Sequence, residues 1–220
     1  MTDSQILLLV CYHSPAVGAL PVSVKKIRPA VVACSSHKWL RGPSGVSLVY
    51  IDPTLHESWI PLDLQARGRV VSGTTTWHAT SHEIGPNGYP EEFYSDGRKF
   101  DAGGKPNPIL LPMLRCALES VVKLDCDKIQ STLETLMSPL LTWAESRQYR
   151  VPKQPHCWHL IGIQPPNMTT EELLQACKSL NESGVIVSVR CGGFRISPYT
   201  TNTTADVDRL IEALERVEKK

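Results

Sequence analysis

Lys38 is the residue of this chain whose neighbours best equip it to act as a nucleophile. It lies in Cys34-Ser35-Ser36-His37-Lys38-Trp39-Leu40-Arg41-Gly42-Pro43-Ser44-Gly45, between the apolar runs 31–34 and 46–51. Both runs have the length and β-branched content of buried strands. A lysine delivered to the end of a strand can be buried, and an amine in that setting can form a Schiff base with a carbonyl compound. Ser35 and His37 stand beside it, and both are suited to holding a phosphate. Simple strand alternation puts 35 and 37 on one side and 36 and 38 on the other. A turn beginning near Ser36 would reconcile the phosphate pair with the lysine. A surface lysine in a strand–turn–strand hairpin has the same pattern, so these residues alone leave both readings open.

A second group suited to binding is Arg195, in Gly193-Phe194-Arg195-Ile196-Ser197-Pro198-Tyr199. A guanidinium fork pairs bidentately with a carboxylate, a task for which lysine is less suited. Arg190, five residues earlier, competes for that role or serves as a surface ion-pair residue. His78 and His82 have helical spacing, but Thr74-Thr75-Thr76 before them and Gly85-Pro86 after them argue for a loop without a third ligand. His156 and His159 open a strand and read as structural. No metal site is expected.

These residues must be positioned by elements that the apolar pattern outlines. Residues 1–122 alternate short apolar strands, such as 6–11, 31–34 and 46–51, with glycine and proline turns, and end in a helix over 108–122. From 125 to 147 a helix carries Ile129, Leu133, Leu136, Leu140 and Leu141 along one face. There follow a strand near 158–163 and a helix over 169–181 that opens with the capping signal Thr169-Thr170-Glu171-Glu172 and ends at Gly184. Strands at 185–189 and 194–197 and a helix over 204–217 complete the chain. The reading is therefore α/β, with a first part at 1–122 and a small C-terminal α/β lobe at 123–220.

Composition narrows the function further. The 220 residues are 41% hydrophobic, enough for a core, and carry a formal charge of +1 with scattered ions, so there is no basic footprint for nucleic acid. No apolar run is long enough to span a membrane, and none has the flanks of a signal peptide, so a cytoplasmic protein is expected. The seven cysteines are odd in number and show no repeated CxxC spacing, which argues against a disulfide framework or a zinc ribbon.

Four segments, in order along the chain, resemble the class V aminotransferases, the pyridoxal 5'-phosphate (PLP) group that includes cysteine desulfurases and isopenicillin-epimerase-like proteins. The segment around Lys38 is similar to the family's cofactor-lysine segment. Residues 95–107 (Ser-Asp-Gly-Arg-Lys-Phe-Asp-Ala-Gly-Gly-Lys-Pro-Asn) and the helix after them resemble its glycine-rich segment. Residues 193–199, with Asn202-Thr203, resemble the substrate-arginine strand and last helix, and this context favours Arg195 over Arg190. His13-Ser14-Pro15-Ala16-Val17-Gly18-Ala19-Leu20-Pro21 resembles the strand end that precedes Val-Gly-Ala-Leu-Pro in the family.

The resemblance implies specific roles. Lys38 would form the internal aldimine and shuttle a proton, Ser35 and His37 would hold the cofactor phosphate, and His13 would approach the phenolic oxygen, although a partly exposed strand-end histidine fits His13 equally. Arg195 would hold the α-carboxylate of a small-molecule substrate, an amino acid. A homodimer is implied, with the segment 103–107 near the interface.

Two departures accompany it. The resemblance covers only the second half of a family member, which implies an incomplete large PLP-binding domain followed by the small lobe. In addition, the aspartate that keeps the pyridine nitrogen protonated falls at Val10, and valine cannot hold that proton. The expectation is a truncated PLP-dependent transferase or lyase, weak or inactive alone. The alternative is a non-catalytic remnant serving as an interaction module, or a mis-predicted gene fragment. No segment resembles the mobile cysteine loop of desulfurases.

Overall fold

The computed structural model describes residues 9–12, 16–64, 68–70, 92–102, 107–153 and 156–218. The chain forms two compact units, one of Met1–Val17 with Val22–Val121 and the other of Gly18–Pro21 with Val122–Lys220.

The first unit is built on a mixed three-stranded sheet of β1 (Val10–Tyr12), β2 (Val31–Ser35) and β3 (Ser47–Ile51). β1 runs parallel to β2 with Val10 opposite Val31, and β2 runs antiparallel to β3 with Ser35 opposite Ser47. Because side chains alternate along a strand, Val32 and Cys34 turn to one face and Val31 and Ala33 to the other. The first face is the core side. Cys34 and Leu40 are buried there with Val121, and Val17, Leu48 and Leu118 pack around them. The opposite face leaves Val10 and Val49 65% and 60% exposed.

Between β1 and β2 lies the one-turn helix α1 (Val24–Ile27). The helix α2 (Leu110–Leu124) supplies Leu118 and Val121. It starts two residues later than the sequence suggests, because the Asn107 side chain accepts the Ile109 and Leu110 N–H groups at 2.9 and 3.0 Å and so caps it.

The second unit holds α3 (Cys126–Ser146), β4 (Ile161–Ile163), α4 (Thr170–Glu182), β5 (Ser188–Arg190), β6 (Gly193–Ile196) and α5 (Thr204–Glu218). The strands form an antiparallel sheet in the order β4-β6-β5. Helix α4 packs against β5 and β6, and α5 packs against α3 and α4. Its core contains Leu133, Leu140, Ile161, Ile163, Leu180 and Phe194. The element order is the one the apolar pattern predicts.

Two strands of this unit, β5 and β4, start three residues later than expected, and hydrogen bonds mark both starts. The run 185–187 stays out of β5 because α4 ends in a Schellman motif, with Val185 N–H donating to Leu180 O at 2.9 Å and Gly184 N–H to Asn181 O. Gly184 supplies the required positive φ of 80°. The Val187 N–H then donates to the Asn181 side chain, so these donors are spent before the ladder begins. At β4, Trp158 N–H donates to Gln130 Oε1 at 2.9 Å and so is taken from the ladder, and the strand runs over Ile161–Ile163.

Candidate active site

Strand β2 ends at Ser35, and the chain turns at Ser36, as the alternation argument requires. Ser36 is fully buried, and its hydroxyl lies 2.6 Å from Pro43 O and 2.7 Å from Val46 O. Gly42 N–H donates to Ser36 O at 2.8 Å, and Arg41 N–H donates to Lys38 O at 2.9 Å. Arg41 takes a φ of 56°, and Trp39 and Leu40 are buried beneath the turn. A loop this heavily bonded to itself needs no ligand to shape it. It presents His37 and Lys38 on its outer side, next to the half-buried Ser35.

Lys38 itself is exposed on this turn. Cys34 is buried in β2, one residue before Ser35. Its burial pushes the thiol pKa up, against a smaller opposing effect of the Leu48 backbone, so the reactive thiolate is disfavoured.

Arg195 lies in the second unit, at the middle of β6, where Phe194 and Ile196 turn into the core and Arg195 turns out. Its cross-strand neighbours are Gly162 of β4 and Ser188 of β5. A Cβ placed on Gly162 would meet nothing within 4 Å, so the sheet surface at that position, across from Arg195, is open. Arg190 differs: it sits at the end of β5, and its guanidinium bonds the carbonyl of Val189 at 3.2 Å. The β5–β6 hairpin turns through Cys191 and Gly192 with φ of 50° and 76°, the positive pair that a type I′ turn demands.

The structure thus brings Ser35, His37 and Lys38 together on one turn, and Arg195 belongs to the other unit. His13 lies outside the described residues, as do residues 103–106 and the pair His78 and His82. Among the described residues no group of three His, Cys, Asp or Glu side chains could hold a metal. His156 packs on the Trp158 ring at 4.4 Å, and His159 is buried with Nδ1 3.4 Å from Gln130 Nε2. Val10, where the resemblance implies an aspartate, is an exposed β1 residue opposite Val31.

Sequence reasoning gave no role to Ser36, Gly42 or Gln130. Ser36 and Gly42 shape the lysine turn. The Gln130 amide joins α3 to Ala19 O at 2.9 Å as well as to Trp158. The Gly-Pro-x-Gly pattern was the available signal for the turn. Nothing in the pattern of α3 marks Gln130.

This chain belongs to the aminotransferase class-V family, which it matches over residues 3–210. Its α/β fold is similar to that of the cysteine desulfurase from Thermococcus onnurineus, with a TM-score of 0.74 and 17% identity over 96% of this chain and 52% of that one. The cysteine desulfurase CsdA from Escherichia coli is similar at a TM-score of 0.75 and 19% identity, over 97% of this chain and 52% of that one. A third similar structure is C-DES, in a mutant form with glycine covalently linked to its PLP cofactor, at a TM-score of 0.69 and 14% identity, over 90% of this chain and 49% of that one. The chain spans about half the length of each of these. No curated protein matches it.

Proposed function

We propose that this chain is the lysine-bearing half of a PLP-dependent enzyme of the class V type, a transferase or lyase acting on an amino acid, with Lys38 as the point of covalent cofactor attachment. The observation that carries the proposal is the self-bonded turn 36–42, which holds Lys38 beside Ser35 and His37 just past the end of β2. Membership of the family and the PLP cofactor of C-DES support the choice of group.

The residues fit the group in part. A primary amine on a rigid turn, a hydroxyl and an imidazole match an aldehyde and a phosphate in chemical type. His13 is the proposed contact to the phenolic oxygen. When bound, PLP supplies an electron-withdrawing ring that stabilises negative charge on the substrate carbon. Lys38 then holds or delivers the proton at that carbon, His37 and Ser35 fix the phosphate, and Arg195 orients the substrate through its carboxylate.

The ring nitrogen is where the fit fails. Val10 has no acid to hold a proton there, and its neighbour Val31 has none either. The proposal therefore includes weak or no turnover by this chain alone, in a cytoplasmic homodimer. The exposed Val10 and Val49 favour a second reading, a non-catalytic relative of the fold that serves as an interaction module.

Incubation with PLP, borohydride reduction and peptide mass mapping tests the assignment. A pyridoxyl adduct on Lys38 that disappears in Lys38→Ala is expected. An adduct mainly on Lys25, Lys99 or Lys105 would overturn it.

A further inference from the structure

Lys99 is the only lysine, arginine or carboxylate residue among the described residues that is buried, at 5% exposure. It lies in the short 3-10 turn Gly97–Phe100, which Asp96 caps by accepting the Arg98 N–H at 3.0 Å. Its ammonium donates to the backbone carbonyl of His56 and lies 5.1 Å from the centre of the Phe100 ring. Among the described residues no carboxylate pairs with it: Asp96 is taken by Arg98 at 2.8 Å, and Asp52 is taken by Thr54. Burying an ammonium is strongly unfavourable unless it is paired, and one carbonyl and one ring face do not neutralise it.

Lys99 lines an open cleft. A cleft of about 530 Å³ is bounded by Lys99, His56, Trp59, Phe93 and Tyr94, with Glu57 exposed along it and unpaired with Lys99. That volume is in the range of small-molecule sites, which combine apolar and aromatic walls with a few polar groups that fix orientation. The aromatic walls lie near further cations, since Arg98 sits over the Tyr94 ring at 3.9 Å and Arg69 over the Phe93 ring at 4.5 Å. None of Ser35, His37 and Lys38 lines the cleft.

We propose that this cleft is a binding site for a small aromatic carboxylate, with Lys99 taking the carboxylate and Trp59, Phe93 and Tyr94 enclosing the ring. An anion there completes the pairing that the fold leaves open, and a neutral ligand of the same shape cannot. The lysine ammonium, a compact point charge, suits a single carboxylate oxygen.

Calorimetric titration of the full chain with 2-naphthoate and with the neutral 2-naphthamide tests this. Saturable one-to-one binding of naphthoate is expected, at least about tenfold tighter than naphthamide, the scale of a charge-assisted hydrogen bond. Lys99→Met should abolish the preference, Lys99→Arg should keep most of it, and Lys38→Ala should leave it unchanged. Absence of saturable binding, equal affinity for the two ligands on the unmodified chain, or loss of the preference in Lys38→Ala would each overturn the assignment. The two-ligand comparison needs no variant to fold, and the Lys38→Ala arm separates this site from PLP attachment.

Discussion

A methyl group on Gly42 would stand 2.7 Å from Cβ of Ser36 and 2.9 Å from a methyl of Leu114, closer than packed atoms allow. The lysine turn is therefore closed by a glycine that lies against a buried serine, and the position of Lys38 depends on that contact.

Gly42→Ala should destabilise the first unit by about 1–3 kcal/mol, the usual cost of overpacking a tight contact. Urea denaturation measures it. In the same variant borohydride trapping should lose its selectivity for Lys38. Wild-type stability with intact selectivity would show that the turn tolerates the extra carbon.

Acid should loosen the cap of the Gly97–Phe100 turn in a defined window. Hydrogen bonds from the Arg98 side chain, then from its backbone N–H, hold Asp96 down to about 2. A carboxyl lowered in the folded state stabilises above its unfolded pKa, near 3.9, and that contribution fades as pH falls from there through about 2. Thermal unfolding should therefore show a fall in stability between about pH 4 and pH 2 that is smaller in Asp96→Asn. Identical acid profiles for the two proteins would contradict the cap.

Arg195→Lys should weaken binding of an amino-acid carboxylate to the PLP-treated chain by about 1.5–3 kcal/mol, the scale of hydrogen bonds to charged groups. Absorbance titration with the amino acid reads this directly. Equal affinities would assign the carboxylate to another residue.

The open face of the first sheet predicts self-association. Val10 and Val49 are exposed on the two outer strands of a short sheet, on the same face, a surface that pairs readily with another copy. Sedimentation should show average mass rising with concentration, and Val49→Lys should reduce that rise. A wild-type monomer at every concentration would remove the argument for an interaction surface.

The fold was legible where local chemistry and periodicity agree. Thr169 and Glu172 form a reciprocal cap, with Thr169 N–H donating to Glu172 at 2.7 Å and Glu172 N–H to Thr169 at 3.3 Å, and α4 begins there. The apolar face of α3 is buried at Ile129, Leu133, Leu136, Leu140 and Leu141. Boundaries were less legible where a side chain from elsewhere claimed a backbone donor, as Gln130 does at Trp158. The lysine turn was visible in its glycines and proline, but the side on which Lys38 emerges depends on the burial of Ser36. Lys99 carried no signal at all, because a lysine between an arginine and a phenylalanine reads as surface, and only tertiary packing against His56 encloses it.

Gly162 faces Arg195 across the β4–β6 ladder and adds no side chain to that surface. Directly opposed positions on neighbouring strands bring side chains within about 5 Å. A side chain placed at 162 would therefore stand beside Arg195 without disturbing the core, because Ile161 and Ile163 point the other way. Position 162 is thus a place where the surface around Arg195 can be reshaped while the lobe keeps its packing.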